Sequence, residues 1–309
     1  MEHLIEIHHI TKDYGRQRGV FDLSFQVKKG EVLGFLGPNG AGKTTTIRQL
    51  LGFIKPDSGS LRISGMDCFQ DADKIQNYLG YLPGETAFID SMNGMEFIQF
   101  VAKMKGMKDL GRAQELMSRF DLNPTGKIKK MSKGMKQKIG IVCAFMQDPE
   151  ILILDEPTSG LDPLMQEQFV NLILQEKKRG KTILMSSHIF EEVEKTCDRA
   201  VIIRNGRLVA VENMETLRSN RKKIMEITFQ TSEMASAFAS KVLNVACEKN
   251  TVILNVGMEL DEVIKKAAVY TIMDMNVRTQ SLEEFFLHFY HHDMPSNEEL
   301  FCSLRREEK

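Results

Sequence analysis

The sequence predicts an α/β protein with a mostly parallel core sheet, followed by a small α+β domain. A glycine-rich loop with a lysine, residues 37–45, lies between an apolar segment of strand length and the start of a helix. From residue 151 to residue 203, strand-like and helix-like segments alternate. Beyond a polar, basic run at 217–223 the pattern changes, which indicates a domain boundary.

The loop fits G-x-x-x-x-G-K-[ST], the pattern that cradles the phosphates of a nucleoside triphosphate. Its glycines let successive backbone N–H groups point at one anion, Lys43 supplies positive charge for the β- and γ-phosphates, and Thr44 is placed to ligate Mg²⁺. A chance glycine-rich turn is the alternative, whereas the dinucleotide pattern G-x-G-x-x-G is absent. The candidate ATP-binding residues of this loop are Gly37, Pro38, Asn39, Gly40, Ala41, Gly42, Lys43, Thr44 and Thr45.

The composition is that of an ordinary soluble globular protein: of 309 residues, 42% are hydrophobic and 27% are charged. A formal net charge of −1 gives no global field that would draw nucleic acid or anionic lipid. No apolar run approaches the ~18 residues that span a bilayer, and no signal peptide is predicted, so any membrane role is expected to come through a partner. The five cysteines are scattered and are predicted to be free thiols: Cys68, Cys143, Cys197, Cys247 and Cys302.

The predicted elements of the first 146 residues surround the loop. Apolar patterning predicts strands at 3–10, 19–27, 31–36, 60–63 and 78–83. Apolar stripes predict helices from 45, within 94–120 (one stripe runs from Phe97 to Met104) and over 131–146, the last entered through Ser132. Tyr14, between the first two strands, is either a loop aromatic or a platform on which a base stacks.

Carboxylates follow the next predicted strand. The continuous apolar run 151–154 predicts a central parallel strand that ends in Asp155 and Glu156. Uncompensated buried carboxylates are costly, so Asp155 is the candidate Mg²⁺ ligand and Glu156 the candidate base for the attacking water. His188 ends another strand and is either a hydrogen-bond donor to the γ-phosphate or a turn histidine. The further elements predicted here are a helix at 164–178, a strand at 182–187, a helix at 190–196 and a strand at 200–203.

Residues 221–294 are predicted to form the small α+β domain, with no catalytic constellation. The strands are expected near 224–230, 251–256 and 272–279, and the helices near 232–243, 259–268 and 281–290. The last helix begins with a capping box of Ser281 and Glu284, and the charged tail 295–309 is expected to be frayed. The pairs His8-His9 and His291-His292 lack partners at ligand spacing and are expected to be surface residues rather than metal ligands.

Together these motifs resemble the nucleotide-binding subunit of ABC transporters over about residues 3–215. The resemblance implies an ABC-type P-loop NTPase domain over 1–220, with a helical subdomain at about 90–146. It implies that Tyr14 stacks on adenine, that Thr44 and Asp155 bind Mg²⁺, that Glu156 is the catalytic base and that His188 is the switch histidine. ATP and Mg²⁺ are therefore the expected ligands.

The resemblance also implies partners. Ser132, Lys133 and Gly134 match the signature that caps ATP held by the opposite subunit, and Asp162 lies in the loop that contacts that subunit. A homodimer is expected to close on ATP and to drive a separate polytopic permease at the cytoplasmic face of the cell membrane. No nucleic acid partner is expected.

Two positions depart from the family pattern. The signature reads Met-Ser-Lys-Gly-Met where Leu-Ser-Gly-Gly-Gln is commoner, which keeps the serine and the second glycine. Gly84 stands where the family usually has a glutamine that touches Mg²⁺ and senses the membrane partner, and the adjacent Glu85 is a candidate substitute. These sequences and the C-terminal domain are similar to the branch that exports drugs, antibiotics and peptides. The permease groove is expected near residues 84–100.

Two other functions are weighed against transport. A soluble ABC ATPase that acts on ribosomes or DNA usually carries two cassettes or long coiled-coil insertions, whereas this chain has one cassette. A small-molecule kinase would use the phosphate loop but would leave Ser132 and His188 without a role.

Overall fold

The computed structural model of the chain describes residues 2–219, 223–242, 245–256, 260–282 and 284. The chain divides into two compact units, Met1–Glu215 and Thr216–Lys309. The strands are β1 (His3–Asp13), β2 (Gly19–Lys28), β3 (Val32–Leu36), β4 (Ser58–Ile63), β5 (Met66–Asp67), β6 (Leu79–Leu82), β7 (Ile151–Asp155), β8 (Thr182–Ser187), β9 (Arg199–Arg204), β10 (Arg207–Asn213), β11 (Lys223–Phe229), β12 (Val245–Glu248), β13 (Thr251–Val256) and β14 (Ile272–Thr279). The helices are α1 (Lys43–Leu50), α2 (Ala72–Gln76), α3 (Gly94–Met104), α4 (Gly111–Arg119), α5 (Lys133–Phe145), α6 (Pro163–Lys178), α7 (Phe190–Thr196), α8 (Met214–Ser219), α9 (Ser232–Ala239) and α10 (Leu260–Ala267), with a 3₁₀ turn at Ile128–Lys130.

The first unit is built on a six-stranded sheet of order β10-β9-β3-β8-β7-β6. The five strands from β9 to β6 pair in parallel, and β10 pairs antiparallel with β9 at one edge. Strands β3, β7 and β8 are buried along their whole length, as expected of parallel strands covered on both faces. The predicted parallel α/β core is therefore confirmed.

A second sheet, which the sequence pattern did not separate from the first, has the order β2-β1-β4-β5 and is antiparallel. Its apolar face shares one core with the parallel sheet and with α1. The rings of Phe25 on β2 and Phe35 on β3, for example, lie 5.2 Å apart between centroids. This shared core fixes α1, and with it the phosphate loop, between the two sheets.

The helical part of the first unit differs in detail from the predicted pattern. Residues 94–120 form two helices, α3 and α4. Within the predicted stripe of α3, Phe97 and Ile98 are buried but Met104, the last residue of the helix, is 73% exposed. The predicted entry of α5 through Ser132 is confirmed, since the Ser132 hydroxyl accepts the Met135 N–H at 3.2 Å.

The second unit has a four-stranded antiparallel sheet of order β12-β13-β11-β14. Helices α9 and α10 cover one face of it over an apolar core that includes Phe229, Phe238 and Val263. The predicted capping box is confirmed by reciprocal bonds between Ser281 and Glu284, of 2.9 and 3.1 Å. The rest of the predicted helix 281–290, the tail 295–309 and His291-His292 lie outside the described residues.

Strands β5, β10 and β12 were not predicted. All three lie at sheet edges, and none of their residues is buried. β5 has only two residues and β12 only four, but the apolar run 208–211 of β10, which follows the turn at Asn205-Gly206, was a usable strand signal. His8 and His9, predicted to be surface residues, pair with Glu6 and Asp22 in partly and largely exposed positions. Among the described residues, no helix is both long enough and apolar enough to cross a membrane.

The described cysteines are free thiols, as predicted; Cys302 lies outside the described residues. Cys68 and Cys197 are buried, and burial raises the pKa of each thiol to about 12, whereas Cys247 is exposed. Because the thiolate is the reactive form, we expect N-ethylmaleimide near neutral pH to label Cys247 rapidly, and Cys68 and Cys197 only after denaturation. Peptide mass spectrometry measures this, with Cys247→Ser as the control. Rapid labelling of Cys197 in the folded chain would contradict the burial described here.

Candidate functional site

The loop between β3 and α1 has a curled backbone, and several of its positions require glycine. Gly40 and Gly42 have positive φ values of 82° and 109°, and Gly42 is the N-cap residue of α1. At Gly37 a Cβ atom would lie 2.5 Å from the Ile203 carbonyl oxygen, so only glycine fits there. The loop therefore ends at a helix N-terminus, where unpaired N–H groups and the helix field favour an anion.

Lys43 is held inside this loop. The residue is only 5% exposed, and its Nζ donates to the carbonyl oxygens of Gly37 at 2.6 Å and Pro38 at 3.3 Å. The same Nζ lies 3.2 Å from Oε1 of Glu156. The ammonium group thus joins the phosphate loop to the carboxylate that follows β7.

Asp155 ends β7 and is 1% exposed. Its Oδ2 accepts the Thr44 hydroxyl at 2.8 Å, and its Oδ1 accepts the Ser186 hydroxyl at 2.5 Å. The two predicted metal ligands, Thr44 and Asp155, are therefore in contact. Ser186 was not singled out in the sequence, although its place at the end of a strand two residues before His188 was a usable signal, because parallel strands end at the same sheet edge.

Glu156 has a left-handed backbone, with φ of 50°, a conformation that costs energy for a residue with a side chain. Its N–H donates to the Ser186 hydroxyl at 3.0 Å, and a glutamine on α5, Gln137, donates to the Pro157 carbonyl at 2.7 Å. The Glu156 carboxylate contacts Lys43 on one side and Nδ1 of His188 on the other. This backbone turn sets the carboxylate between the two.

Most of the predicted site residues line one cavity of about 650 Å³. Tyr14 lines it from a loop and is 53% exposed, with the Lys12 ammonium 5.9 Å from its ring centroid. The predicted residues that line the cavity are Tyr14, Asn39, Gly40, Gly42, Lys43, Thr44, Thr45, Lys133, Asp155, Glu156 and His188. Lining residues that sequence reasoning missed include Arg18, Arg48, Tyr81 and Asn205. They come from four separate segments, so no local motif marks them.

Tyr81 forms one wall of the cavity and is half-buried. Burial, together with the negative charge of Asp155, raises the pKa of its hydroxyl to about 12, so it remains protonated at neutral pH. Gly84 also lines the cavity, and a Cβ built there would lie 3.6 Å from Oδ2 of Asp155, in ordinary contact. Glu85 lines the same cavity. The position beside the Asp155 carboxylate thus has room for a larger side chain than glycine.

Of the residues around the start of α5 and α6, Lys133 lines the cavity, whereas Ser132, Gly134 and Asp162 do not and make local contacts. Ser132 caps α5, and Asp162 caps α6 by accepting the Met165 N–H at 3.0 Å. Lys133 donates to the Ser159 hydroxyl at 2.9 Å. At Gly134 a Cβ would lie 2.7 Å from the Gly160 carbonyl oxygen, so this glycine allows α5 to approach the loop before α6.

Comparison with known proteins gives a consistent assignment. The family model described as "ABC transporter" matches residues 20–159. The bacitracin transport ATP-binding protein BcrA of Bacillus licheniformis is 39% identical over 240 residues, 77% of this chain and 78% of that protein. The linearmycin resistance ATP-binding protein LnrL of Bacillus subtilis is 31% identical over 92% of this chain and 97% of that protein.

Solved structures give the same fold. A structure of the ATP binding subunit of an ABC transporter is 32% identical, with a TM-score of 0.64 over 70% of this chain and 92% of that one. The dimeric structure of MJ0796, a bacterial ABC transporter cassette, has a TM-score of 0.62 over 68% of this chain and 98% of that one. At 21% identity, the second comparison shows the fold alone.

Removing the Lys43 ammonium tests the phosphate site. We expect Lys43→Ala to weaken ATP binding by at least about tenfold, because it deletes a buried charge that faces the loop. Equilibrium titration with a fluorescent ATP analogue measures the affinity. Lys178→Ala, an exposed lysine on α6, is the matched control and should bind as the parent chain does. Unchanged affinity in Lys43→Ala would contradict the phosphate assignment.

Proposed function

This chain belongs to the ATP-binding proteins of ABC transporters, and we propose that it energises the export of an antibiotic-like compound or peptide through a separate membrane permease. As a member of that family it is an ATP-binding, ATP-hydrolysing transport subunit. Export and the class of substrate are the proposed part. They are supported by two relatives that are named for bacitracin transport and linearmycin resistance.

The observation that carries the proposed site is the meeting of Lys43, Thr44, Asp155, Glu156 and His188 in one cavity. In the proposed arrangement, the phosphates lie on the N–H groups of the loop and on Lys43, and adenine stacks on Tyr14 at the open side. A γ-phosphate would compete with Glu156 for the Lys43 ammonium, since like any cation Lys43 is shared between the anions that reach it.

Thr44 and Asp155 fit the proposed Mg²⁺. Their oxygens lie 2.8 Å apart at the foot of the loop, and Mg²⁺ is usually held in such sites by one or two protein oxygens together with phosphate and water. When bound, the ion would neutralise charge on the phosphates. Ser186 would keep the Asp155 carboxylate in place by its bond to Oδ1.

Glu156 is the proposed general base. Its carboxylate would take a proton from the water that attacks the γ-phosphorus, while the bond from that phosphorus to the bridging oxygen of ADP breaks. His188, in contact with the same carboxylate, would orient it and donate a hydrogen bond to the γ-phosphate. The side chain of His188 is 50% exposed and so is free to face a ligand in the cavity.

A second copy of the chain is the proposed partner at the open side of the site. Ser132, Lys133 and Gly134 at the start of α5 would cap the ATP of the opposite subunit from a helix N-terminus, and Asp162 would contact that subunit. A single chain is then expected to bind ATP but hydrolyse it poorly. We also assign residues 1–220 to the ATPase domain and 221–294 to an accessory domain.

The proposed permease site lies beside residues 84–100, on the cytoplasmic face of the membrane. The rings of Phe88 and Phe97 pack with their centroids 4.9 Å apart and their planes tilted by 59°, and the centroids of Phe97 and Phe100 are 6.5 Å apart. Around this cluster Ile89 is 40%, Phe100 38% and Met104 73% exposed. Such an exposed apolar patch supports a contact with another protein. The transporter relatives likewise favour a permease over ribosomes or DNA as the partner.

Removing the charge of Glu156 separates binding from hydrolysis. We expect Glu156→Gln to lower turnover by about 10²–10⁴, the usual range for a lost general base, and to leave ATP affinity intact. It should also accumulate an ATP-bound dimer. Phosphate release and size-exclusion chromatography with light scattering measure these results, with the exposed Glu115→Gln as the control. Normal turnover in Glu156→Gln would rule out its role as the base.

Charging the apolar patch tests the permease contact. We expect the double variant Phe100→Glu/Met104→Glu to lose co-purification with a polytopic membrane protein from detergent-solubilised membranes while it keeps its ATP affinity, because a charge would be buried on docking. Phe69→Glu, which changes an aromatic residue that is 48% exposed elsewhere on the surface, is the matched control. Sedimentation of the parent chain with ribosomes instead of membrane protein would overturn the proposal.

A further inference from the structure

Glu192, on α7, is a buried acid to which the proposed reaction gives no role. We propose that Glu192 is a positioning residue that holds, through the Ser187 hydroxyl, the turn that places His188 on Glu156. The inference rests on the proposed roles of Glu156 and His188.

The buried environment of the Glu192 side chain is unfavourable for a carboxyl group. It is 6% exposed, and its Oε2 accepts the Ser187 hydroxyl at 3.2 Å. Its Oε1 is buried and finds no hydrogen-bond partner among the described residues. Burial raises the pKa of this carboxyl, an effect that the hydroxyls of Thr158 and Ser187 and the nearby His188 oppose. Burying a carboxyl group this poorly satisfied costs free energy, which calls for a compensating role.

The contacts of Glu192 reach both catalytic segments. Ser187 directly precedes His188, and its hydroxyl also accepts the Ile189 N–H at 2.9 Å, so it is tied to the chain on both sides of His188. Thr158, which is buried, follows Glu156 by two residues. Glu192 thus interacts with residues of both segments, Thr158 after Glu156 and Ser187 before His188.

Helix α7 is a rigid support for this side chain. A Cβ at Gly34 of β3 would lie 2.5 Å from a Val193 methyl group, so the helix packs directly on the backbone of the strand that leads into the phosphate loop. The Cys197 sulfur lies 3.1 Å from the same point. Glu192 therefore ties the Ser187–His188 turn to a helix that is itself packed on β3. This tie resists movement of the turn relative to the phosphate loop.

The simpler explanation is that Glu192 stabilises α7 as an acidic residue in its first helical turn. Glu191 also lies in that turn, but its side chain is 82% exposed and is 3.8 Å from Lys195. A helix-field effect would be shared by both residues, whereas the positioning role belongs to Glu192 alone. The neighbouring pair therefore provides an internal control.

The experiment uses the full chain at a protein concentration where its specific ATPase activity no longer rises. We expect Glu192→Ala and Ser187→Ala each to lower kcat by about tenfold or more, since small displacements of catalytic groups are costly, with ATP affinity within about twofold of the parent. The double variant should be no slower than the slower single variant, because both changes break one contact. Glu192→Gln keeps an oxygen for Ser187 and should recover most of kcat. Glu191→Ala should match the parent.

The remaining outcomes separate this inference from the function on which it rests. In a Glu156→Gln background, Glu192→Ala should cause no further loss, because Glu192 acts through that pair. If Glu156→Gln itself turns over normally, the proposed base is wrong and the inference falls with it. If Glu156→Gln is slow but Glu192→Ala retains full kcat, or slows the Glu156→Gln chain further by the same factor, only the positioning role is overturned. If Glu192→Ala fails to fold, the test uses Ser187→Ala and Glu192→Gln instead. A lowered kcat in Ser187→Ala together with a near-normal kcat in Glu192→Gln supports the positioning role. Any other pair of results overturns it.

Discussion

The hydrogen bonds of the Asp155 carboxylate are the constraint on which the rest of the site depends. A carboxylate that is 1% exposed is tolerated only when donors satisfy it, and here the donors come from two other elements, Thr44 on α1 and Ser186 on β8. Asp155 and Ser186 are direct register partners across the parallel pair β7–β8. The pairing of the strands therefore fixes one oxygen, and the phosphate loop fixes the other. Because Asp155 is bonded to both, the parallel sheet and the phosphate loop cannot shift relative to each other without breaking one of these hydrogen bonds.

The charged residues next to Asp155 also have partners on other elements. Lys43 is buried, the Glu156 side chain is 20% exposed, and the two charges lie 3.2 Å apart. The left-handed backbone at Glu156 is the cost of that arrangement, and the bonds of its N–H to Ser186 and of Gln137 to the Pro157 carbonyl hold it in place. Gln137 belongs to α5, the helix that begins at Ser132. The helical region is thus hydrogen-bonded to the backbone turn that carries the Glu156 carboxylate.

The two departures from the family pattern have different physical consequences. The signature residues Ser132 and Gly134 keep what their backbone positions need, a cap for α5 and close approach to Gly160. At Gly84 a Cβ would instead meet Asp155 at ordinary contact distance, and Glu85 lies in the same cavity wall. The proposed capping function is thus better supported than any direct link between the metal site and a permease through residue 84.

Elements with a local signal were predictable from the amino-acid sequence. The phosphate loop, the buried strand that ends in Asp155 and Glu156 and the cap at Ser132 each follow from a residue pattern within about ten positions, where burial and backbone geometry restrict the choice of side chain. The parallel core follows from the alternation of such segments along the chain. The tertiary structure was needed to show which strands join the antiparallel sheet and that β10 and β12 form sheet edges. It also shows that Ser186 and Gln137 donate hydrogen bonds to Asp155 and Pro157, and that Glu192 accepts the Ser187 hydroxyl. These contacts join residues that lie far apart in the chain or on different elements. The physical reason is that a buried polar group needs a partner, but the chain does not specify locally which distant donor will supply it.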